Sequence, residues 1–400
     1  YNDYLNNRES SLRPLSIQYA DYSIWQRNLL QGEYLEAQLN YWKKKLENLP
    51  DPINLPIDKP RPKVMSYNGS LFTFKIHKDI IQGLKEINKK EGTTMFMTLL
   101  AVFNVLLFRY SGQNDIIVGS PIANRTNSEV EDLIGFFVNT LVLRNQIKDN
   151  ENFIELLNRV KEVSLEAYQH QDVPFEQLVD QLKIERDLTR TPIFQIMFVL
   201  QNTQQATLKL ENLEVSEIEN IESETTKFDL TLSVDEDDRN DVLNCVFEYS
   251  TDIFIEDTMK RLSKNFEVIL KSIISNPKEL LFKLPIGHEN EKDKLLNEWN
   301  DTKYDYPKDK TIHQLIEEQV EKYSDNIAVI FADQTLTYSE LNEKSNQLAH
   351  YLIKLGVKTN SLVGISVERS LELIIGILGI IKAGGAYVPL DPNYPVERLK

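Results

Sequence analysis

The sequence predicts an α/β (α+β) protein made of two consecutive parts. In residues 1–285, amphipathic helical segments are interspersed with short alternating or β-branched segments, which is typical of a mixed sheet covered by helices. From residue 311 the order becomes strand, helix, strand, helix, strand, which predicts the start of a parallel sheet. Between these parts, 286–310 has the polar, Pro- and Gly-containing composition of a linker. We therefore expect domains at 1–285 and 311–400.

Composition and charge exclude several classes of function. The 400 residues include 45 Lys and Arg against 61 Asp and Glu, and the net charge of −16 argues against nucleic acid or an anionic membrane surface as partner. The single cysteine, Cys245, excludes a disulfide framework and a Cys-based zinc site, and it fits a reducing cytosol. The most apolar run, 373–381, is far shorter than the ~20 residues of a membrane span. Because 1–13 is polar and has no signal-peptide core, we expect a cytoplasmic protein.

Helices in the first part are predicted from apolar residues at helical spacing. In the second of them, Leu35, Leu39, Trp42 and Leu46 recur at intervals of four, three and four residues. The predicted helices cover 17–30, 32–46, 78–90, 96–110, 153–169 and 257–275.

Strands in the first part are predicted from alternation and from β-branched runs. Leu243, Cys245, Phe247 and Tyr249 alternate with polar or smaller residues, as in a half-buried antiparallel strand. The charged segment 235–241 before them predicts the turn of a hairpin. The predicted strands cover 70–76, 115–120, 193–200, 228–234 and 243–249. Five prolines exclude regular structure from 50–62.

The second part is predicted to alternate strands and helices. Thr337 and Glu340 form a capping box for the helix at 338–355. The other predicted elements are helices at 312–323 and 371–382, strands at 327–331, 362–367 and 386–390, a turn at 332–334 and a short linker helix at 295–299. Since the first residue is not Met and Pro395 opens another helical start, we expect a fragment of a longer chain.

Four segments of the first part resemble core motifs of the condensation domain of nonribosomal peptide synthetases. They are YADYSIW at 19–25 (motif 4), IGFFVNT at 134–140 with Arg144 (motif 5), HQDVPFE at 170–176 (motif 6) and RDLTRTP at 186–192 (motif 7). They occur in the family order with near-family spacing.

The rest of the chain resembles the junction to an adenylation domain and the start of that domain. The junction segments are WNDT at 299–302, YP at 306–307 and TIH at 311–313. The adenylation segments are LTYSEL at 336–341 and LGIIKAGGAYVPLDP at 378–392. The resemblance covers nearly the whole chain.

The resemblance implies both a fold and a reaction. The fold would be the C-terminal lobe of a chloramphenicol-acetyltransferase-like condensation domain, followed by the first elements of an adenylate-forming domain. The reaction would be amide formation between aminoacyl or peptidyl thioesters on the phosphopantetheine arms of upstream and downstream peptidyl carrier domains. Amino-acid activation with ATP and Mg²⁺ would belong to the complete adenylation domain.

The resemblance also indicates what the chain lacks. The family's His-His-x-x-x-Asp-Gly motif does not occur, because no two of the five histidines are adjacent. By family order we expect the motif a few helical turns upstream of Tyr1, and the Gly-rich phosphate loop of the adenylation domain does not occur in this sequence either. We expect this stretch alone to be inactive, with no cofactor or metal of its own.

Three residues have both a site and a structural interpretation. Arg125 resembles the arginine that pairs with the motif's aspartate, or it is a loop arginine bonded to Glu129 or Glu131. His170 is a possible base, but its place after an amphipathic helix favours capping or packing. Asn139 either donates into the substrate tunnel or, as we favour, satisfies backbone groups at a strand end.

The remaining candidates concern the tunnel wall and the loops. Tyr19 and Trp25 are interpreted as core or tunnel wall. Thr191 stands where motif 7 of the family usually has Asn, which puts a donor contact to the intermediates in doubt. Arg186, Asp187 and Arg190 are interpreted as an ion-pair cluster that fixes the loop before the strand at 193–200. The glycines at 384–385 are expected to break a helix, since no Lys-Ser/Thr follows them as in a P-loop.

Three functions remain open at this stage. The leading one is a working elongation module. The second is a catalytically inactive condensation-like domain that acts as a protein-binding platform, and the identity of the upstream His motif would discriminate between them. An epimerase-like relative is third, and the direct linker into an adenylation domain argues against it.

Overall fold

The computed structural model describes residues 1–184, 187–201, 210–214, 224–237, 241–287, 289–395 and 397. It divides into two compact units, 1–300 (unit 1) and 301–400 (unit 2).

Unit 1 contains most of the helices. Each helix predicted in this part is present, with ends that differ by at most two residues. The described helices are α1 (Asn2–Leu5), α2 (Tyr19–Leu29), α3 (Gly32–Lys45), α4 (Lys78–Glu91), α5 (Met95–Ser111), α6 (Phe153–Gln169), α7 (Phe175–Leu182), α8 (Glu256–Ser275) and α9 (Glu289–Asp293). A π-helical turn, Lys294–Glu298, follows α9 and overlaps the predicted linker helix.

The strands of unit 1 form one mixed sheet. They are β1 (Gly69–Ile76), β2 (Asp115–Ile122), β3 (Asn139–Gln146), β4 (Ile196–Gln201), β5 (Leu230–Asp237) and β6 (Val242–Ser250). Among the described residues the order is β1-β6-β5-β4-β2-β3. The pairs β5/β4 and β4/β2 are parallel and the other neighbours are antiparallel, which confirms the predicted pairing of β5 with β6.

The core lies between this sheet and helices that pack on it. The alternating residues Leu243, Cys245, Phe247 and Tyr249 of β6 are all buried, as the sequence pattern predicted. Every residue from 97 to 107 in α5 is buried, which is the behaviour of a helix that is apolar on all sides. The segment 50–62 has no helix or strand, in agreement with its prolines.

Besides the short helices α1 and α9, the sequence did not predict β3 and α7. In β3 the buried run Leu141, Val142 and Leu143 is only three residues long, and Arg144 and Asn145 follow it directly. The helix α7 has eight residues and a single fully buried side chain, Leu178. Both signals are too short for periodicity to detect.

Unit 2 contains α10 (Ile312–Tyr323), β7 (Ile327–Phe331), β8 (Gln334–Thr337), α11 (Tyr338–Lys354), β9 (Leu362–Ile365), α12 (Leu371–Lys382) and β10 (Ala386–Pro389). The strands β9 and β10 are parallel and joined through α12, so this part of the predicted parallel sheet is confirmed. The Thr337–Glu340 capping box is present at the start of α11.

The predicted place of β7 in that sheet is wrong. In the described residues β7 pairs antiparallel with β8, from Phe331 opposite Gln334 to Ile327 opposite Thr337. Ala332, at a φ of +49°, turns the chain back immediately after β7. The prediction identified this turn but overlooked the four-residue strand that follows it.

Candidate functional site

Motif 4 and motif 5 are in direct contact. The Tyr19 hydroxyl, on α2, donates a hydrogen bond to the carbonyl oxygen of Phe136 at 2.9 Å. A Cβ atom at Gly135 would lie 2.2 Å from Cδ2 of Tyr19, so only glycine lets the ring lie over this segment. The glycine of motif 5 and the tyrosine of motif 4 therefore fit together as one contact.

A small apolar cluster joins α2 to the segment before β3. Tyr22, Val130, Leu133 and Phe137 are buried together, with ring centroids of Tyr22 and Phe137 4.7 Å apart. The alternating residues Ile134, Phe136 and Val138 face away from this cluster and are 96%, 81% and 55% exposed. The buried residues Leu133 and Phe137 thus anchor a segment whose other side chains are exposed, and the Phe137 amide donates a hydrogen bond to the Gly135 carbonyl oxygen at 3.2 Å.

Arg125 lies against this cluster. Its Cζ is 4.2 Å from the ring centroid of Phe137. Its Nη1 donates to the carbonyl oxygens of Val130 and Glu131, at 3.1 Å for the latter. Among described residues its hydrogen bonds thus go to backbone carbonyls, not to the carboxylates of Glu129 or Glu131. Its pairing with an aspartate of the family motif stays a prediction.

Trp25 is 44% exposed and contacts Tyr22 at a centroid distance of 5.7 Å. This exposure excludes Trp25 from the buried core. Its other expected role, in the wall of the substrate tunnel, stays a prediction. Tyr19 is half-buried, and its ring lies edge-on to Phe137 at 5.2 Å.

Asn139 connects motif 5 to motif 6. Its Nδ2 donates to the carbonyl oxygens of Gln171 and Val173 at 2.7 and 2.8 Å. Its Oδ1 accepts from the amides of Phe175 at 3.0 Å and Thr140 at 2.8 Å. Both amide hydrogens are thereby used on backbone carbonyls. The side chain acts in this structure as a clamp on the segment before α7.

His170 ends α6 and packs against α3. Its Nδ1 lies 2.8 Å from the carbonyl oxygen of Glu166, and its ring stacks on Tyr41 at 3.8 Å with 8° between the planes. The carbonyl oxygen of His170 accepts a hydrogen bond from Nε1 of Trp42 at 2.8 Å. These are capping and packing contacts.

Motif 7 contacts motif 6 through Phe194, two residues after the motif. The rings of Phe175 and Phe194 are 5.4 Å apart, and the Thr191 hydroxyl donates to the carbonyl oxygen of Phe194 at 2.5 Å. That donor is therefore used within the loop.

Arg186 lies outside the described residues, so the predicted ion-pair cluster of Arg186, Asp187 and Arg190 is described only in part. The carboxylate of Asp187 accepts from the Thr189 amide at 2.8 Å, and hydrogen bonds from Thr189 lower the pKa of Asp187 below its usual range.

Two ion pairs that support this region were missed by sequence reasoning. Arg144, on β3, binds Asp115 of the neighbouring strand through Nε at 3.0 Å and Nη2 at 2.7 Å. Arg61 binds Asp229 and also donates to the carbonyl oxygen of Thr189 in motif 7, at 3.3 Å. The only local signal for Arg61 is an arginine between two prolines, Pro60 and Pro62.

In unit 2 the glycine pair has a structural role. Gly384, at a φ of +84°, follows the C-terminal cap of α12, and a Cβ at Gly385 would lie 3.1 Å from the Ser361 carbonyl oxygen. Since this end of a helix presents carbonyl groups, it is unsuited to hold phosphates. The glycine pair at 384–385 is thus not a phosphate cradle.

The described residues offer neither a metal-binding cluster nor a single membrane-spanning helix. They contain no group of three or more His, Cys, Asp or Glu side chains that could hold a metal ion. None of the described helices is long and apolar enough on its own to cross a membrane, and α4 and α5 meet that criterion only as a pair bent by 108°.

The family model of the condensation domain matches residues 1–296, which is most of the chain. The chain belongs to the condensation-domain family. The family model of AMP-binding enzymes matches residues 316–400, so the condensation domain is followed by the start of an adenylation domain. This agrees with the resemblance that the four motifs and the junction indicated.

The curated relatives of this condensation domain are peptide synthetases. Gramicidin S synthase 2 of Aneurinibacillus migulanus is 45% identical over 393 residues, which is 98% of this chain and 9% of that protein. Bacitracin synthase 3 of Bacillus licheniformis is 46% identical over 389 residues, 97% of this chain and 6% of that protein. The chain thus spans less than a tenth of the length of these two relatives.

Solved structures show the same fold. A four-domain nonribosomal peptide synthetase bound to AMP and glycine is 26% identical, with a TM-score of 0.75, over 90% of this chain and 28% of that one. The X-domain of teicoplanin biosynthesis, in a complex with OxyB, is 26% identical, with a TM-score of 0.65, over 72% of this chain and 64% of that one.

Proposed function

We propose that this chain forms part of an elongation module of a nonribosomal peptide synthetase, in which it contributes to amide formation between carrier-bound thioesters. The observation that carries the proposal is the contact of the four motifs in space. Motif 4 touches motif 5 through Tyr19 and Phe136, motif 5 holds motif 6 through Asn139, and Phe175 of motif 6 packs on Phe194 beside motif 7. Each motif thus contacts the next one, and the contact between motifs 4 and 5 joins residues 117 apart in sequence.

The reaction sets the requirements for these four motifs. The amine of the downstream aminoacyl group attacks the carbonyl carbon of the upstream thioester, so a C–N bond forms and the C–S bond breaks. The amine loses a proton and the departing thiolate gains one, which leaves a free phosphopantetheine thiol on the upstream carrier domain. Positioning of the two arms and exclusion of water supply much of the rate in reactions of this type.

In this proposal the described residues of this chain supply positioning rather than proton transfer. The His170 Nδ1 is engaged with a backbone carbonyl, and its ring is covered on one face by Tyr41. The Arg125 guanidinium is the cationic group next to motif 5, and in this proposal it orients the loop that carries the family's His motif. The proposed domain bounds are 1–285 for condensation and 311–400 for adenylation.

The proposal also names the cofactors and partners of the module. Phosphopantetheine arms belong to the upstream and downstream carrier domains, and ATP with Mg²⁺ belongs to the complete adenylation domain. The glycines at 384–385 are used in packing and hold no phosphate in this proposal.

The test is a single-turnover assay with the full-length module that contains this chain. The upstream carrier domain is loaded with an aminoacyl thioester and the downstream carrier domain with a second one. Intact-protein mass spectrometry then follows the dipeptidyl species on the downstream domain. We expect that species to form, and a downstream carrier domain without its phosphopantetheine arm is the control.

The second candidate is a protein-binding platform, and one comparison favours it. The X-domain, which shares this fold, is solved in a complex with another protein, OxyB. Loaded carrier domains that give no dipeptidyl species over the full time course would contradict the enzymatic proposal and favour the platform.

A further inference from the structure

Phe137, in motif 5, contacts side chains from two other parts of the chain. It is 3% exposed, and its ring contacts Tyr19, Tyr22 and the Arg125 guanidinium. Tyr19 and Tyr22 belong to α2, whereas Arg125 belongs to the loop after β2. Phe137 thus connects the helix of motif 4 to the one cationic side chain described in this cluster.

The contacts of Arg125 fix one edge of its guanidinium. Both hydrogen bonds that it makes to described residues start at Nη1 and end on the adjacent carbonyls of Val130 and Glu131. The ring of Phe137 lies against the group at 4.2 Å, a distance at which the quadrupole of an aromatic ring attracts a cation. The remaining donors, on Nε and Nη2, belong to the same rigid planar group. Two carbonyls and one ring therefore determine the direction in which these donors point.

We infer that Phe137 is a positioning residue, whose ring holds the Arg125 guanidinium so that its Nε and Nη2 donors face a carboxylate acceptor. Leucine would fill similar volume in this cluster but has no aromatic face, so the guanidinium would lose one of its three supports. The inference rests on the proposed function for its effect on the reaction rate, but the orientation of Arg125 is measurable without any reaction.

The first test measures the guanidinium directly. The chain is treated with an arginine-selective dicarbonyl reagent, and the modification of Arg125 over time is followed by peptide mass spectrometry. We expect Phe137→Leu to modify Arg125 about 3- to 10-fold faster than wild type, and Phe137→Tyr, which keeps the aromatic face, to stay within about 2-fold. An unchanged rate in Phe137→Leu would overturn the inference, whatever the outcome of any activity assay.

The matched control is Tyr22→Leu. This change removes an aromatic ring from the same cluster, 4.7 Å from Phe137, but Tyr22 makes no cation–ring contact with Arg125 in the described residues. We expect it to lower the midpoint of thermal unfolding without the same acceleration at Arg125. If both leucine variants accelerate the modification equally, loosening of the cluster explains the effect and Phe137 has no specific role.

The second test uses the full-length module and a double-variant cycle. We expect Phe137→Leu to slow single-turnover dipeptide formation about 3- to 30-fold, in line with the strength of cation–ring contacts. In an Arg125→Ala background the same change should have almost no further effect, because its target is gone. Equal slowing by Phe137→Leu in both backgrounds would contradict this inference but not the proposed function. If the wild-type module forms no dipeptide, the proposed function is contradicted. The modification test then decides the role of Phe137.

Discussion

Arg61 and Asp229 lie 168 residues apart in sequence and form a two-point ion pair, with Nη1–Oδ1 at 2.8 Å and Nη2–Oδ2 at 2.5 Å. The arginine side chain is 16% exposed and the aspartate side chain 6%. The hydrogen bond to Asp229 raises the pKa of Arg61 above its ordinary value, against the opposing effect of burial. Since Nη1 also donates to the Thr189 carbonyl oxygen, the pair joins the proline-rich segment to the loop of motif 7.

We expect Asp229→Ala to lower the free energy of unfolding of unit 1 by about 3 to 5 kcal/mol, because it leaves a largely buried cation without its partner. The double variant Arg61→Met with Asp229→Leu should lose less than Asp229→Ala, since no charge remains buried. All three tryptophans lie in unit 1, so tryptophan fluorescence during urea unfolding reports this unit.

The exposed pair Lys78–Asp241 is the control for this prediction, since both side chains are well exposed and their nitrogen and oxygen are 2.7 Å apart. We expect Lys78→Ala to change the stability far less. If both single changes gave the same loss, the buried pair would have no special role in stability.

Asn139 and Asn145 are both buried on β3 but differ in their partners. Asn139→Leu would leave two carbonyls and one amide of 171–175 without a partner, and we expect a loss of about 3 kcal/mol in the free energy of unfolding. In the described residues neither amide atom of Asn145 has a hydrogen-bond partner, so Asn145→Leu should cost no more than about 1 kcal/mol. The comparison is made by urea unfolding, and a larger loss at Asn145 would refute the assignment of Asn139 as the clamp.

The sequence predicted the elements whose signal is local and long. The alternation in β6 and the apolar stripe of α6 each extend over at least seven residues, and both elements form where expected. In contrast, β3 and β8 were missed. The buried run of β3 spans three residues, and β8 is four residues long and forms because Ala332 reverses the chain.

The candidate site was harder to predict than the fold. The motifs identified the correct segments, but the partners of their side chains lie far away in sequence. Asn139 binds backbone 32 to 36 residues later, and Tyr19 binds backbone 117 residues later. No periodicity encodes such pairs, because they depend on which segments the sheet brings together.

Cys245 provides a test of burial in the sheet. It is 1% exposed in β6, and desolvation raises the pKa of its thiol to about 12. A buried thiol in its protonated form does not attack disulfide reagents, so we expect no reaction with an aromatic disulfide at about pH 8 in the native chain and one equivalent in guanidinium chloride.

The pH dependence of this thiol has a definite sign. Between pH 9, where an ordinary thiol ionises, and about 12, the unfolded state binds fewer protons at this position than the native state. Stability should therefore fall as the pH rises through that range, and Cys245→Ala should remove this contribution. Rapid labelling of the native chain under the mildly alkaline conditions of the thiol assay would show that β6 is more open than the structure indicates.

The structure of unit 2 predicts that this chain alone does not activate amino acids with ATP. The glycines at 384–385 close a helix and pack on Ser361, so they are not available to hold phosphates. The 400-residue chain, given ATP and any of the common amino acids, should show no ATP–pyrophosphate exchange above background. The full-length module is the positive control, and exchange by the chain itself would mean that its described residues do form a nucleotide site.

The measurement that tests the central claim most directly is single-turnover dipeptide formation by the full-length module with Arg125→Ala. The account predicts a clear loss of rate, of about 10-fold or more, because the guanidinium beside Phe137 orients the loop at the reaction site. Arg27→Ala, which removes an exposed arginine from the same α2 that carries Tyr19, should leave the rate unchanged. An unchanged rate for Arg125→Ala would remove Arg125 from the site and contradict the account.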